Sequence, residues 1–121
     1  MNFEPANLFQ HETDLLCVPA GHTLFTEGDQ GDVMYVLISG AADISVHGKI
    51  VEHAQAGALL GEMSLIEDTA PRSASVTTTA ECKLAAIDAK RFHFLIQNTP
   101  NFAVHVMRVI ATRLRNVNRL L

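Results

Sequence analysis

Val33-Met34-Tyr35-Val36-Leu37-Ile38 is an unbroken β-prone run, and Ile44-Ser45-Val46-His47-Gly48-Lys49-Ile50-Val51 follows it beyond Gly40. A continuous run of this kind fits a strand buried on both of its faces. The second stretch alternates apolar and polar residues over 44–46, then breaks at His47-Gly48-Lys49, which reads as a hairpin turn between two strands. The same texture continues on either side. Thr23-Leu24-Phe25 is a short strand closed by Gly28-Asp29, and Gly57 and Gly61 bracket Ala58-Leu59-Leu60. Residues 73–79 alternate small polar and apolar side chains and end in three threonines, which favour pleated backbone. Residues 82–87 are the last strand. Short strands with turn signals about every 8–12 residues argue for a sandwich or barrel.

Outside 21–88 the period becomes helical. Leu8, Phe9, Leu15 and Leu16 stand at mixed helical spacings, so one or two short turns are expected in an N-terminal helical segment over 1–20. Asp88 can cap a helix through Phe92, Leu95 and Ile96 that stops near Asn98-Thr99-Pro100. Pro100 suits the first turn of a second helix, where its missing N–H costs nothing. Residues 101–121 contain no Gly or Pro and would span about 31 Å. The expected class is mainly β with flanking helices: a jelly roll (double-stranded β-helix) over 21–88, then C-terminal helices over 89–121.

At 121 residues the chain fits one domain, 1–121, and can bury one core. Apolar residues make up 48%, but no apolar run approaches the roughly 20 needed to cross a bilayer. Met1-Asn2-Phe3-Glu4-Pro5 lacks the basic start and apolar core of a secretory signal. Cys17 and Cys82 are too few for a disulfide scaffold, and their apolar neighbours point to small buried thiols. A cytoplasmic protein without membrane contact is expected. The net charge is −4 and no basic block precedes the last helix, which argues against direct nucleic-acid binding. Arg108, Arg113, Arg115 and Arg119 read as a solvated helix face, with cations near the negative end of the dipole.

The chemistry gathers in Gly61-Glu62-Met63-Ser64-Leu65 and Pro71-Arg72-Ser73-Ala74-Ser75-Val76. A carboxylate accepts hydrogen bonds from sugar hydroxyls, and a guanidinium forks onto two phosphate oxygens. Both stand beside small residues that leave backbone N–H groups open, so the pair reads as a nucleotide site. Gly61 lets the backbone come close, and Glu62 starts an expected short helix over 62–66. Arg72 is the local positive centre that an acidic protein needs to hold an anion. His47, Glu52 and His53 are the nearest approach to a jelly-roll metal site, but they lack its paired spacing and read as surface residues. No Ser/His/Asp or Cys/His arrangement is legible, so neither catalysis nor a metal is expected.

These two segments, with Gly21-His22-Thr23-Leu24-Phe25-Thr26-Glu27-Gly28-Asp29 and Met34-Tyr35-Val36-Leu37-Ile38-Ser39-Gly40, resemble the cyclic nucleotide-binding domains. Residues 61–76 are similar to that family's phosphate-binding cassette. The tail from Phe92 onward resembles its long C-terminal helix, notably in the bacterial catabolite-activator (Crp/Fnr-like) branch. The resemblance implies that Glu62 accepts from the ribose 2′-hydroxyl, that Arg72 forks onto the exocyclic phosphate oxygens, and that Ser73 adds a hydroxyl and an N–H. Gly61, Met63, Ser64 and Ala74 complete the implied ligand set. Val117 and Asn118 stand where that branch carries two hydroxyl residues, and the Asn118 carboxamide could pair with adenine. Guanine-preferring relatives often carry threonine after the cassette arginine; Ser73 tilts the expectation toward cAMP over cGMP.

Met107, Ile110, Leu114, Val117 and Leu121 follow at spacings of 3, 4, 3 and 4, the seam of a coiled coil. Phe102, Val106 and Val109 form a second stripe for packing on the β roll. The resemblance implies a parallel homodimer along the seam. Two alternatives stand beside the cyclic nucleotide sensor: a ligand-free dimerisation or docking module of the same fold, and the sensor half of a transcription regulator lacking its DNA-binding domain.

Overall fold

Side chains on residues 33–38 are apolar on both faces of their strand, so the sheet containing them needs cover on each side. The computed structural model describes residues 5–9, 14–67 and 70–119 and supplies that cover with a second sheet and with helices. Its elements are α1 (Pro5–Leu8), β1 (Leu16–Val18), β2 (Thr23–Phe25), β3 (Val33–Ser39), β4 (Ala41–Val46), β5 (Lys49–Gln55) and β6 (Leu59–Leu60). There follow α2 (Met63–Ile66), β7 (Ser75–Thr78), β8 (Cys82–Asp88), α3 (Ala89–Asn98) and α4 (Pro100–Arg119). Two four-stranded sheets, ordered β1-β8-β3-β6 and β2-β7-β4-β5, pair antiparallel throughout and form the jelly roll.

Alternation along β3 divides the core in two. Met34 and Val36 point to one face and join Ala85, Ile87, Phe92, Leu95, Phe102 and Val106, beneath the helices. Leu37 points the other way and packs with Ile44, Leu60, Val76 and Leu84 between the sheets. Each fully buried aliphatic or aromatic side chain contributes about 1.5–3 kcal/mol, so both layers hold β3 in register. Phe102 and Val106 bring α4 onto the outer layer, where the Phe102 ring meets Phe92 edge-on at 6.1 Å. The cap is as expected: the Asp88 side chain accepts from the Arg91 N–H at 2.8 Å at the start of α3.

Two expectations need correction. The N-terminal segment is helical only at Pro5–Leu8 among the described residues, and Leu16 lies in a strand. Leu16, Cys17 and Val18 pair with Leu84, Lys83 and Cys82 of β8, whose open edge satisfies a backbone that local spacing assigned to a helix. Cys82 is buried, but Cys17 is exposed, because strand alternation sends it outward opposite Lys83 while Val18 faces the core.

Candidate functional site

The cassette hangs between the two sheets. β6 ends at Leu60, Gly61 turns the chain at φ +80°, and Glu62 stands at the N-cap position of the single turn of α2, its side chain making no cap bond. On the other side, the Arg72 N–H donates to the Asp29 carbonyl at 2.8 Å, and the Gly28 N–H donates to the Arg72 carbonyl at 2.9 Å. These two bonds, with the bridge between Gln30 and Pro71, lock the Arg72 backbone to the turn after β2.

The Arg72 side chain runs inward and is only 5% exposed. Its Nη1 donates to the Gly61 carbonyl at 3.2 Å, and Cζ lies 4.2 Å from the centre of the Phe25 ring. A Cβ at Gly31 would overlap Nε and Cζ, and one at Gly61 would overlap Nη1. Both glycines therefore make room for the guanidinium. Among the described residues Nε is buried with no hydrogen-bond partner, which is costly for a cationic donor. Burial pushes the Arg72 pKa below its ordinary value; Tyr35, Asp32 and Asp29 act the other way.

Glu62 is 4% exposed, and it pairs with Arg113 of α4 rather than with Arg72: Nη1 donates to Oε1 at 2.8 Å. The same guanidinium donates from Nε to Glu52 Oε1 at 2.9 Å, from Nη2 to Glu52 Oε2 at 3.2 Å, and from Nη2 to the Leu59 carbonyl at 2.6 Å. Burial, the largest single influence on Arg113, lowers its pKa. The hydrogen bond to Glu52 and the charges of Glu62 and Glu52 outweigh that influence, and the pKa is raised.

Gly61, Glu62, Met63, Ser64, Arg72, Ser73 and Ala74 all line one cavity of about 70 Å³, and Arg113 lines it with them. The sequence motif thus assembles into a single concave site, and among the described residues Ser64 Oγ is a second buried polar atom without a hydrogen-bond partner. Asn118 is exposed near the end of α4 and is not among the residues lining this cavity. Residues 68 and 69 of the cassette lie outside the described residues.

Four contributors escaped the sequence reading. Phe25 and Gly31 pack against the Arg72 guanidinium, Arg113 lines the cavity, and Glu52 holds Arg113. Gly31 carries a signal in hindsight, since it sits in no hairpin motif. Arg113 does not belong to the solvated arginine face expected of α4, because its guanidinium turns inward to two carboxylates; Arg108, Arg115 and Arg119 remain exposed. Nor does Glu52 join histidines. His53 Nδ1 lies 2.6 Å from Asp43 Oδ1 and His47 Nδ1 lies 3.2 Å from Glu27 Oε2, both on the surface. Among the described residues no three His, Cys, Asp or Glu side chains gather as metal ligands, and no helix is long and apolar enough to cross a membrane.

Residues 15–99 match the family model of the cyclic nucleotide-binding domain. The chain belongs to that family. The CRP-like cAMP-activated global transcriptional regulator of Mycobacterium tuberculosis is 32% identical to this cyclic nucleotide-binding domain over 105 residues, covering 83% of the domain's chain and 46% of the regulator. The chain spans about half the length of the curated regulators it matches. Among solved structures, cAMP-bound PfPKA-R superposes with a TM-score of 0.78 at 25% identity, over 88% of this chain and 36% of that one. An EAL enzyme in its cGMP-bound form superposes with a TM-score of 0.67 at 26% identity, over 88% of this chain and 29% of that one. The jelly roll followed by C-terminal helices is thus the architecture of the family.

Proposed function

We propose that this domain is a sensor that binds cAMP in preference to cGMP through the cassette and answers by changing the pose of α4. The observation that carries this reading is the buried Arg72 guanidinium, with its unpartnered Nε, in one cavity with Glu62 and Ser73. An exocyclic phosphate would supply the acceptors that Arg72 lacks, with Ser73 adding its hydroxyl and N–H. The second oxygen of Glu62 would take the ribose 2′-hydroxyl. Gly61, Met63, Ser64 and Ala74 complete the contact set. Asn118 enters it on movement of α4 toward the ligand, or from a second copy. The tilt toward adenine rests on Ser73. It agrees with the M. tuberculosis regulator being cAMP-activated and with PfPKA-R being solved with cAMP, while the EAL enzyme bound to cGMP keeps guanine in the test.

In this reading the domain is regulatory, without catalysis, metal or direct nucleic-acid contact of its own, and works in the cytoplasm. It pairs in parallel with a second copy along α4, a reading supported by Met107 and Leu114, each 61% exposed, and Val117, 41% exposed. These apolar side chains stand on the solvent side of a helix whose other stripe is already buried. The share of the curated regulators that the chain covers also fits the sensor half of a transcription regulator. A second reading, a docking module of the same fold that no longer takes ligand, draws on one observation: Arg113 already occupies Glu62, and the cavity is small. Calorimetric titration with cAMP and cGMP side by side separates the readings. Saturable binding of either nucleotide supports the sensor, tighter cAMP supports the adenine preference, and heatless titrations with both leave the docking module.

A further inference from the structure

Residues 26–32 form the turn between β2 and β3, and every one of them is exposed or half-buried. Packing therefore does little to fix where this turn stands, and hydrogen bonds set its position. The same turn holds the Arg72 backbone. The Gly28 N–H donates to the Arg72 carbonyl at 2.9 Å, and the Arg72 N–H donates to the Asp29 carbonyl at 2.8 Å. A shift of the turn moves the Cα from which the guanidinium reaches inward.

Glu27 ties this turn to two neighbouring strands. Its N–H donates to Ser75 Oγ at 2.8 Å, at the start of β7 where the chain leaves the cassette. Its carboxylate reaches the hairpin between β4 and β5: Oε1 accepts from the His47 N–H at 2.8 Å, and Oε2 lies 3.2 Å from His47 Nδ1. His47 stands at φ +53°, a left-handed conformation uncommon for residues other than glycine, so the carboxylate grips a sharply turned tip. β4 and β7 are themselves paired, with Ser45 opposite Ser75. Glu27 is thus anchored twice on one sheet, once beside the cassette and once at the hairpin.

We propose that Glu27 is a positioning residue for Arg72: its carboxylate clasps the turn after β2 to the β4–β5 hairpin, and the clasp sets where the guanidinium meets a phosphate. The proposal rests on the reading of the cassette as a cyclic nucleotide site. Glu27 is not among the residues lining the cavity, so it acts through the backbone of the turn. A binding group held loosely by its supporting shell loses affinity even when every contact residue is present. The sign of the effect is diagnostic. Removing a negative charge from the neighbourhood of an anion site would by itself favour the anion, whereas loosening the clasp weakens its binding.

The test is calorimetric titration of the full chain with cAMP and with cGMP for wild type, Glu27→Ala and Glu27→Asp, alongside residue-resolved hydrogen exchange without ligand. Glu27→Asp keeps the charge but shortens the arm by one methylene. Both variants are expected to bind about three- to tenfold weaker, the scale of one hydrogen bond. Exchange should quicken at the Gly28 and Arg72 amides while protection along β3 stays as in wild type. A carboxylate that only stabilises the fold would loosen β3 together with the turn, so equal loss of protection in both places overturns the proposal. Affinity in either variant equal to or tighter than wild type overturns it as well. If none of the proteins binds either nucleotide, the nucleotide reading falls and exchange alone judges the clasp: faster exchange confined to the turn and Arg72 supports it, and unchanged or uniformly lost protection overturns it. Should Glu27→Ala not fold, Glu27→Asp carries both measurements.

Discussion

The Arg72 guanidinium lies 4.2 Å above the centre of the Phe25 ring, and Phe25 stacks in turn on Tyr35 with centroids 6.4 Å apart and planes 18° from parallel. The ring face is the negative pole of its quadrupole, so Phe25 both attracts the cation and stops it from folding back toward solvent. The contact restrains the guanidinium beside the cavity that Phe25 and Arg72 both line. Phe25→Leu retains the bulk and removes the quadrupole. It should weaken cyclic nucleotide binding by about three- to tenfold, for a loss of roughly 0.5–1.5 kcal/mol. An affinity unchanged in calorimetry would reduce Phe25 to a packing residue.

Arg72→Ala should nearly abolish binding. Removing one partner of a desolvated charge pair costs about 2–5 kcal/mol, or roughly 30- to several-thousand-fold. Glu62→Gln should cost less, because its amide oxygen still accepts from a hydroxyl; the loss is bounded by about 1.5–3 kcal/mol for a hydrogen bond to a charged group. Equal cAMP affinity in Arg72→Ala and wild type would show that the cassette has been misassigned.

Gly31→Ala is the smallest change that should disturb the site. Its Cβ would overlap Arg72 Nε and Cζ, so the guanidinium must shift or the turn after β2 must give way. Overpacking of this kind costs about 1–3 kcal/mol. Thermal unfolding should fall by several degrees and nucleotide binding should weaken by tenfold or more. Wild-type behaviour in both measurements would mean that Arg72 has freedom to move, contrary to its packing.

Ser73→Thr should narrow the gap between cAMP and cGMP. The added methyl leaves the hydroxyl in place, so phosphate contacts survive and any change reports on the base. Side-by-side titration gives the ratio directly. A wild type that binds cGMP tenfold tighter than cAMP would reverse the assignment of the base.

Leu114→Glu with Val117→Glu should leave the monomer folded and prevent pairing. Both side chains are exposed, so charging them costs the isolated domain little. On a seam between two helices the same charges would be desolvated opposite apolar partners. Sedimentation at high micromolar concentration, with and without cAMP, should give a dimer for wild type and a monomer for the double variant. A wild type that stays monomeric under both conditions removes the homodimer. Leu121, the last residue of that seam, lies outside the described residues.

The sequence by itself determined the features written in short-range periodicity and cap chemistry. Apolar residues at consecutive positions of β3 required two covered faces, and both core layers meet there. Asp88 marked the start of α3, and the stripe of Phe102 and Val106 marked the face of α4 that packs inward. The cassette residues were legible because glycine, carboxylate and guanidinium stand at close spacings around one turn. Tertiary structure alone decided which groups meet across long stretches of chain. Leu16 became a strand because the edge of β8 was open to it, and Cys17 turned outward with that strand. Arg113 resembles its neighbours Arg108 and Arg115 in any local reading. It differs because α4, docked by Phe102 and Val106, carries it to Glu52, 61 positions away in sequence, and to Glu62, 51 positions away. The local pattern sets which face a side chain takes on its own element. Only the docking of that element sets which charge it meets, because the carboxylates of Glu52 and Glu62 reach Arg113 only across the fold.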